Sequence, residues 1–175
     1  MQRWQSGPMQ GILIPKTTGS NPVRCSKYNM KEKFIKAYMD TAHRFAELSY
    51  ARRLHVGAIV VKNDRIISIG YNGMPAGWDN NCEYELTVFA NGLDKKELKT
   101  RPEVLHAERN ALDKLAKGTE GGDGADMFIT HSPCLECAKS ILGAGIKRVW
   151  FSEQYRDDSG LTFLEKSGII VEQVN

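Results

Sequence analysis

Two short polar motifs, His106-Ala107-Glu108 and Pro133-Cys134-Leu135-Glu136-Cys137, each open a helical pattern, with 27 residues between His106 and Cys134. That interval leaves room for one helix and one strand. Repeated βα spacing of this kind implies a mostly parallel sheet, with successive helix starts brought to one edge.

The rest of the chain fits that frame. Phe34, Ile35, Tyr38, Met39, Ala42, Phe45, Ala46 and Leu48 recur at helical spacing, which predicts an amphipathic helix from Lys31 to about Arg52. Val56–Val61 and Ile66–Tyr71 are β-rich runs joined by the polar turn Lys62-Asn63-Asp64-Arg65, a hairpin signature. Residues 72–104 read as an irregular loop with a short helix over Asp94–Lys99. Helices are expected over Leu105–Lys117, Cys134–Ala144 and Gly160–Ser167, the last ended by Gly168. Strands are expected over Met127–Thr130, Lys147–Ser152 and Ile169–Val174. The predicted fold is a three-layer α/β/α sandwich around a mixed five-stranded sheet.

Residues 1–29 are rich in Gly, Pro, Ser, Thr, Asn and Gln and show no apolar period, so they are expected to form a flexible arm. Residues 30–175 form one expected domain, whose 41% hydrophobic and 26% charged residues suit a globular core. No run of 18 apolar residues exists and no signal-like stretch opens the chain, so a cytoplasmic protein without membrane contact is expected. The net charge of +3 suits a small anionic substrate, whereas a nucleic-acid binder would show a clustered basic stripe.

In such a chain Cys25, Cys82, Cys134 and Cys137 are expected to be thiols or metal ligands rather than disulfides. A C-x-x-C pair alone fits either redox or zinc chemistry, and no thioredoxin-like context surrounds this one. His106, Cys134 and Cys137 together give three ligands of the type zinc prefers, which leaves a fourth position for water. That is the catalytic rather than the structural arrangement, and it predicts one zinc per chain. Helix starts lower thiolate pKa values, and two thiolates balance the metal charge. Glu108 is expected beside the metal rather than on it, as the group that takes and returns protons. H-x-E with P-C-x-x-C is the signature of zinc deaminases acting on nucleobases.

With these motifs in hand, the sequence resembles the cytidine deaminase-like superfamily and, within it, the deoxycytidylate (dCMP) deaminases. The resemblance spans roughly residues 31–174. It rests on Arg53-Leu-His-Val-Gly-Ala58, Gly70-Tyr-Asn-Gly73, the two zinc motifs within His106–Glu108 and Ser132–Lys139, and Ala144–Arg148 followed by Gln154-Tyr155-Arg156. It implies hydrolysis of dCMP to dUMP and ammonia, a supply of dUMP for thymidylate synthesis. It also implies substrate contacts by Asn72 (sugar and base), Arg53 and Arg156 (5′-phosphate) and Tyr155 (pocket wall). On residue type alone, Arg53 also fits a solvated surface, Asn72-Gly73 a turn, and Tyr155 a cap on the core.

The same resemblance implies a homo-oligomer, a hexamer, activated by dCTP and inhibited by dTTP. The regulator, with Mg²⁺, falls on the loop containing Gly77, Asp79 and Asn80. Some members hold a second zinc. Here Ala51 stands where its first cysteine would be, and residues 83–105 contain neither Cys nor His, so Cys82 is read as a core or loop thiol. His55 is a remote substitute ligand. Two other functions fit the superfamily motifs: deamination of a free nucleoside or of tRNA adenosine. A non-catalytic zinc module would have no need of Glu108.

Overall fold

The computed structural model describes residues 30–90 and 93–174; the expected arm and Cys25 lie outside them. The described elements run α1 (Glu32–Ala46), β1 (Gly57–Lys62), β2 (Arg65–Tyr71), β3 (Glu83–Ala90), β4 (Leu93–Thr100), α2 (Ala107–Leu115), β5 (Asp126–His131), α3 (Leu135–Gly143), β6 (Arg148–Glu153), α4 (Ser159–Lys166) and β7 (Ile170–Gln173).

Five strands form one mixed sheet in the order β2-β1-β5-β6-β7. β1 is antiparallel to both β2 and β5, while β5, β6 and β7 are parallel. Because successive strand side chains face opposite sides, β1 splits its apolar run between two cores. Ala58 and Val60 join Met127, Ile129 and Val149 under α2, α3 and α4. Ile59 and Val61 join Phe128 and Trp150 against Met39 and Ala42 of α1. Phe128 lies between Tyr38, whose tilted ring is 5.3 Å away, and Trp150, on which it stacks at 5.8 Å. This is the expected α/β/α sandwich. At the opposite end of β5 from the start of α3, Asp126 and Arg148 open the adjacent strands β5 and β6 and form a buried bidentate pair, 2.7 Å and 2.8 Å. Among the described residues no helix is long and apolar enough to cross a membrane.

The structure departs from the sequence reading in two places. α1 stops at Ala46 rather than near Arg52. Beyond it, Ser49 Oγ donates to the Asn72 carbonyl and accepts from the Ala51 N–H, so tertiary bonds draw the chain out of the helical path. The stretch Asp94–Lys99, expected as a short helix, belongs instead to strand β4, and part of the expected irregular loop is strand β3. The two pair antiparallel without a register break, from Glu83↔Thr100 to Ala90↔Leu93. Leu86-Thr87-Val88-Phe89 is a strand-forming run, and Asn91-Gly92 is a strong hairpin signal in sequence. Pairing with β3 outweighs the weak helical preference of Lys95, Lys96, Glu97 and Lys99.

Candidate active site

His106 is the N-cap of α2 and Cys134 the N-cap of α3; both have extended backbone. Cys137 lies one turn into α3, with its side chain buried. The two helices follow one another around β5, so their starts meet at the same edge of the sheet. His106 Nδ1 stands 3.5 Å from Cys134 Sγ and 3.4 Å from Cys137 Sγ. All three donor atoms lie within 4.8 Å of one another. A tetrahedron with Zn–N near 2.0–2.1 Å and Zn–S near 2.3 Å has N···S edges of about 3.6 Å. The donor set and its spacing therefore fit zinc.

The electrostatics agree. The Cys134 thiol is pulled down to about 3, first by its hydrogen bond with Cys137 and then by that with His106. Cys137 is pushed up by the same sulfur contact and by burial. Two adjacent sulfurs share the first negative charge readily, and the second proton leaves only against a cation. The His106 imidazole is raised by its hydrogen bond with Cys134.

Glu108 sits in the first turn of α2 with only 4% of its surface exposed. Burial raises its carboxyl from the usual 4.5 to about 6, while its own backbone N–H and the neighbouring His106 pull the other way. A carboxyl with this pKa can both accept and donate a proton near neutral pH.

Two glycines set the position of these helix starts. A Cβ on Gly70 of β2 would lie 2.1 Å from the Ala107 carbonyl oxygen, and one on Gly160 of α4 would lie 2.0 Å from that of Pro133. The neighbouring backbones close on the site without intervening side chains.

His106, Glu108 and Cys134 open onto a cavity of about 270 Å³. Three of the four residues expected to contact substrate, Arg53, Asn72 and Tyr155, also line it. Asn72 is held at both ends of its amide: Oδ1 accepts from the Val56 N–H at 2.8 Å and Nδ2 donates to the Leu54 carbonyl at 2.8 Å. It therefore fixes the loop that enters β1 as well as forming a wall. The Tyr155 N–H donates to Ser132 Oγ at 2.7 Å. Arg156 is not part of the lining; it is exposed, with its guanidinium 5.6 Å from the Tyr155 ring centroid.

Gly77, Asp79 and Asn80 lie in an exposed loop apart from this cavity. Gly77 takes a positive φ of 88°, and Asp79 Oδ1 accepts from the Asn81 N–H. Cys82 is buried with Ala51 and Val104, and its thiol pKa is raised by that burial. The His55 ring bonds the Ala51 carbonyl at 2.6 Å.

Four further polar lining residues were not anticipated: Glu83, Thr100, His131 and Ser132. Glu83 and Thr100 come from the β3–β4 hairpin, whose Asn91-Gly92 turn signal could have disclosed it. His131 and Ser132 precede the Pro133-Cys134 motif by so little that βα geometry alone could have put them at the cavity.

The comparisons agree with this geometry. The family described as the cytidine and deoxycytidylate deaminase zinc-binding region matches residues 32–153. ComE operon protein 2 of Bacillus subtilis (strain 168) is 38% identical over 138 residues, covering 78% of this chain and 69% of that protein. Deoxycytidylate deaminase of Homo sapiens is 36% identical over 142 residues, covering 80% and 76%. The crystal structure of dCMP deaminase from the cyanophage S-TIM5, in complex with dCMP and dUMP, superposes with a TM-score of 0.73 at 43% identity, covering 83% of this chain and 99% of that one. A match over most of the folded chain, with metal donors at two adjoining helix starts, makes this protein a member of the zinc-binding cytidine and deoxycytidylate deaminase family.

Proposed function

We propose that the chain hydrolyses dCMP to dUMP and ammonia. The observation that carries this reading is Glu108, a buried carboxyl with a near-neutral pKa, beside a zinc-type donor trio in a cavity of nucleotide-compatible size. The likeness to a dCMP deaminase solved with dCMP and dUMP supports the choice of substrate.

His106, Cys134 and Cys137 would hold the metal, which when bound would supply the Lewis acidity that lets a water lose its proton near neutral pH. Glu108 accepts that proton and delivers it to the ring nitrogen as the water oxygen bonds to C4 of the base; it then passes the second water proton to the amine, and the C4–N bond breaks to give the carbonyl and ammonia. The apolar walls Val56, Val104 and Ala107 keep bulk water from the proton path. Asn72 meets the sugar and base edge with the amide valences left free by Leu54 and Val56. Tyr155 closes the wall beside the base. Arg53 takes the 5′-phosphate from the cavity wall, and Arg156 adds positive charge from the rim beside Tyr155.

The same reading extends to control. The exposed loop with Gly77, Asp79 and Asn80 receives dCTP as activator or dTTP as inhibitor, with Mg²⁺ at the phosphates, in a cytoplasmic homohexamer. An acidic side chain and a glycine with positive φ in an exposed turn support a phosphate–magnesium role there.

Ammonia release measured on dCMP, deoxycytidine and dCTP tests the substrate reading. The highest kcat/KM is expected with dCMP. A preference for deoxycytidine would move the nucleoside deaminase reading to first place.

A further inference from the structure

The buried carboxylate of Glu83 is used by nothing in the chemistry above, yet it is only 1% exposed and lines the cavity. Its oxygens accept from two consecutive backbone N–H groups: Arg52 at 3.1 Å to each oxygen, and Arg53 at 3.3 Å. The Arg52 side chain adds an ion pair at 3.7 Å. A buried carboxylate is tolerated only when its lone pairs are met in this way. On the facing strand, Thr100 is the Cα partner of Glu83, and its hydroxyl accepts from Arg53 Nη1 at 2.8 Å. One cross-strand pair at the base of the hairpin thus holds Arg53 twice, by its backbone and by its guanidinium.

We propose that the Glu83–Thr100 pair is a positioning device for substrate selection, which aims Arg53 at the anionic end of the nucleotide. It rests on the reading that Arg53 meets the 5′-phosphate. An otherwise mobile arginine must give up several side-chain torsions to grip a phosphate. Fixing its backbone and one guanidinium nitrogen beforehand leaves less freedom to lose on binding. The remaining guanidinium donors stay available to the ligand. Glu83 and Thr100 act through Arg53 and carry no proton in the reaction.

The test compares kcat/KM for dCMP and deoxycytidine in the zinc-loaded protein. Glu83→Gln is isosteric but sets an amide donor against one of the two backbone N–H groups. Thr100→Val removes only the hydroxyl. Each is expected to lower the dCMP-to-deoxycytidine ratio by about fivefold, the effect of one hydrogen bond. KM for dCMP should move more than kcat. Adding either change to Arg53→Ala should lower the ratio no further, because the device has nothing left to aim. Thermal melts identify a variant that has failed to fold, and Thr100→Val on the half-exposed strand end keeps the test open in that case. If Arg53→Ala collapses the ratio while both other variants keep it within about twofold of wild type, the positioning role is overturned and the phosphate reading stands. Equal losses on both substrates would also overturn it, as general support of the fold. If Arg53→Ala leaves the ratio unchanged, the phosphate reading itself fails, and this inference with it.

Discussion

His106 Nδ1 and Cys137 Sγ lie 3.4 Å apart, although 31 positions separate them in sequence. The N-cap of one helix and the first turn of the next are held at nearly the edge length of a zinc tetrahedron. Metal analysis should therefore find about one zinc per chain, and Cys137→Ser should lower both occupancy and turnover. A zinc content near two would bring Cys82 back as a ligand of a second site.

Glu108→Gln keeps the shape of the side chain and removes its ability to carry a proton. Zinc content and melting temperature should stay close to wild type, while kcat falls by about 10²–10⁴-fold. A variant keeping more than roughly a tenth of the wild-type rate would take Glu108 out of the proton path.

The same carboxyl predicts a pH effect on stability in chelator-treated protein. Its pKa of about 6 in the fold lies above the usual 4.5 because burial disfavours the charged form. The folded state then holds the proton more tightly than the unfolded state, so its contribution is greatest below pH 4.5 and is lost as pH rises through 6. Compared with Glu108→Gln, wild type should lose about 2 kcal/mol between pH 4 and 7, the free energy that separates these two proton affinities. Urea titrations of both proteins at the two pH values measure this difference, and a constant difference would contradict it.

Gly70→Ala adds one methyl group to β2, and its Cβ would meet the Ala107 carbonyl oxygen at 2.1 Å. Backbone has to move, and the backbone in question carries His106 and Glu108 on either side. Besides an overpacking loss of about 1–3 kcal/mol, the variant should bind zinc more weakly than wild type in competition with a chelator. Lost stability with unchanged zinc affinity would show that the helix start adjusts independently of β2.

Asp126→Ala removes a carboxylate that accepts two bonds from the Arg148 guanidinium, 2.7 Å and 2.8 Å, between the first residues of β5 and β6. Losing hydrogen bonds to a charged group at a buried site costs about 1.5–3 kcal/mol. Chemical unfolding should show a loss of that size, whereas a loss under about 1 kcal/mol would mean that the Asp126 carboxylate contributes little to the fold.

The meeting of His106, Cys134 and Cys137 was legible in sequence because it depends on local geometry: a donor at a helix start, repeated after one βα unit. The apolar run Val56–Val61 likewise marked a β-strand, and the fold shows it to be buried on both faces. Glu83 and Thr100 were not legible. Their contacts with Arg53 cross 30 and 47 positions and exist only once β3 and β4 have paired. β4 itself is poor in strand-forming residues, so nothing within Leu93–Thr100 identifies it, and the information lies in its partner. The end of α1 was hidden for a similar reason, since Ser49 leaves the helical path for bonds to Asn72 and Ala51.

The hairpin has one more consequence. From Glu85 to Phe89 and from Leu93 to Glu97 its strands are exposed, while the Glu83↔Thr100 pair at its base meets the cavity. Its far end can therefore be lengthened, shortened or exchanged without disturbing the grip on Arg53. Such a module offers a route to new substrate preference in which the loop diverges freely and the reacting centre is inherited intact.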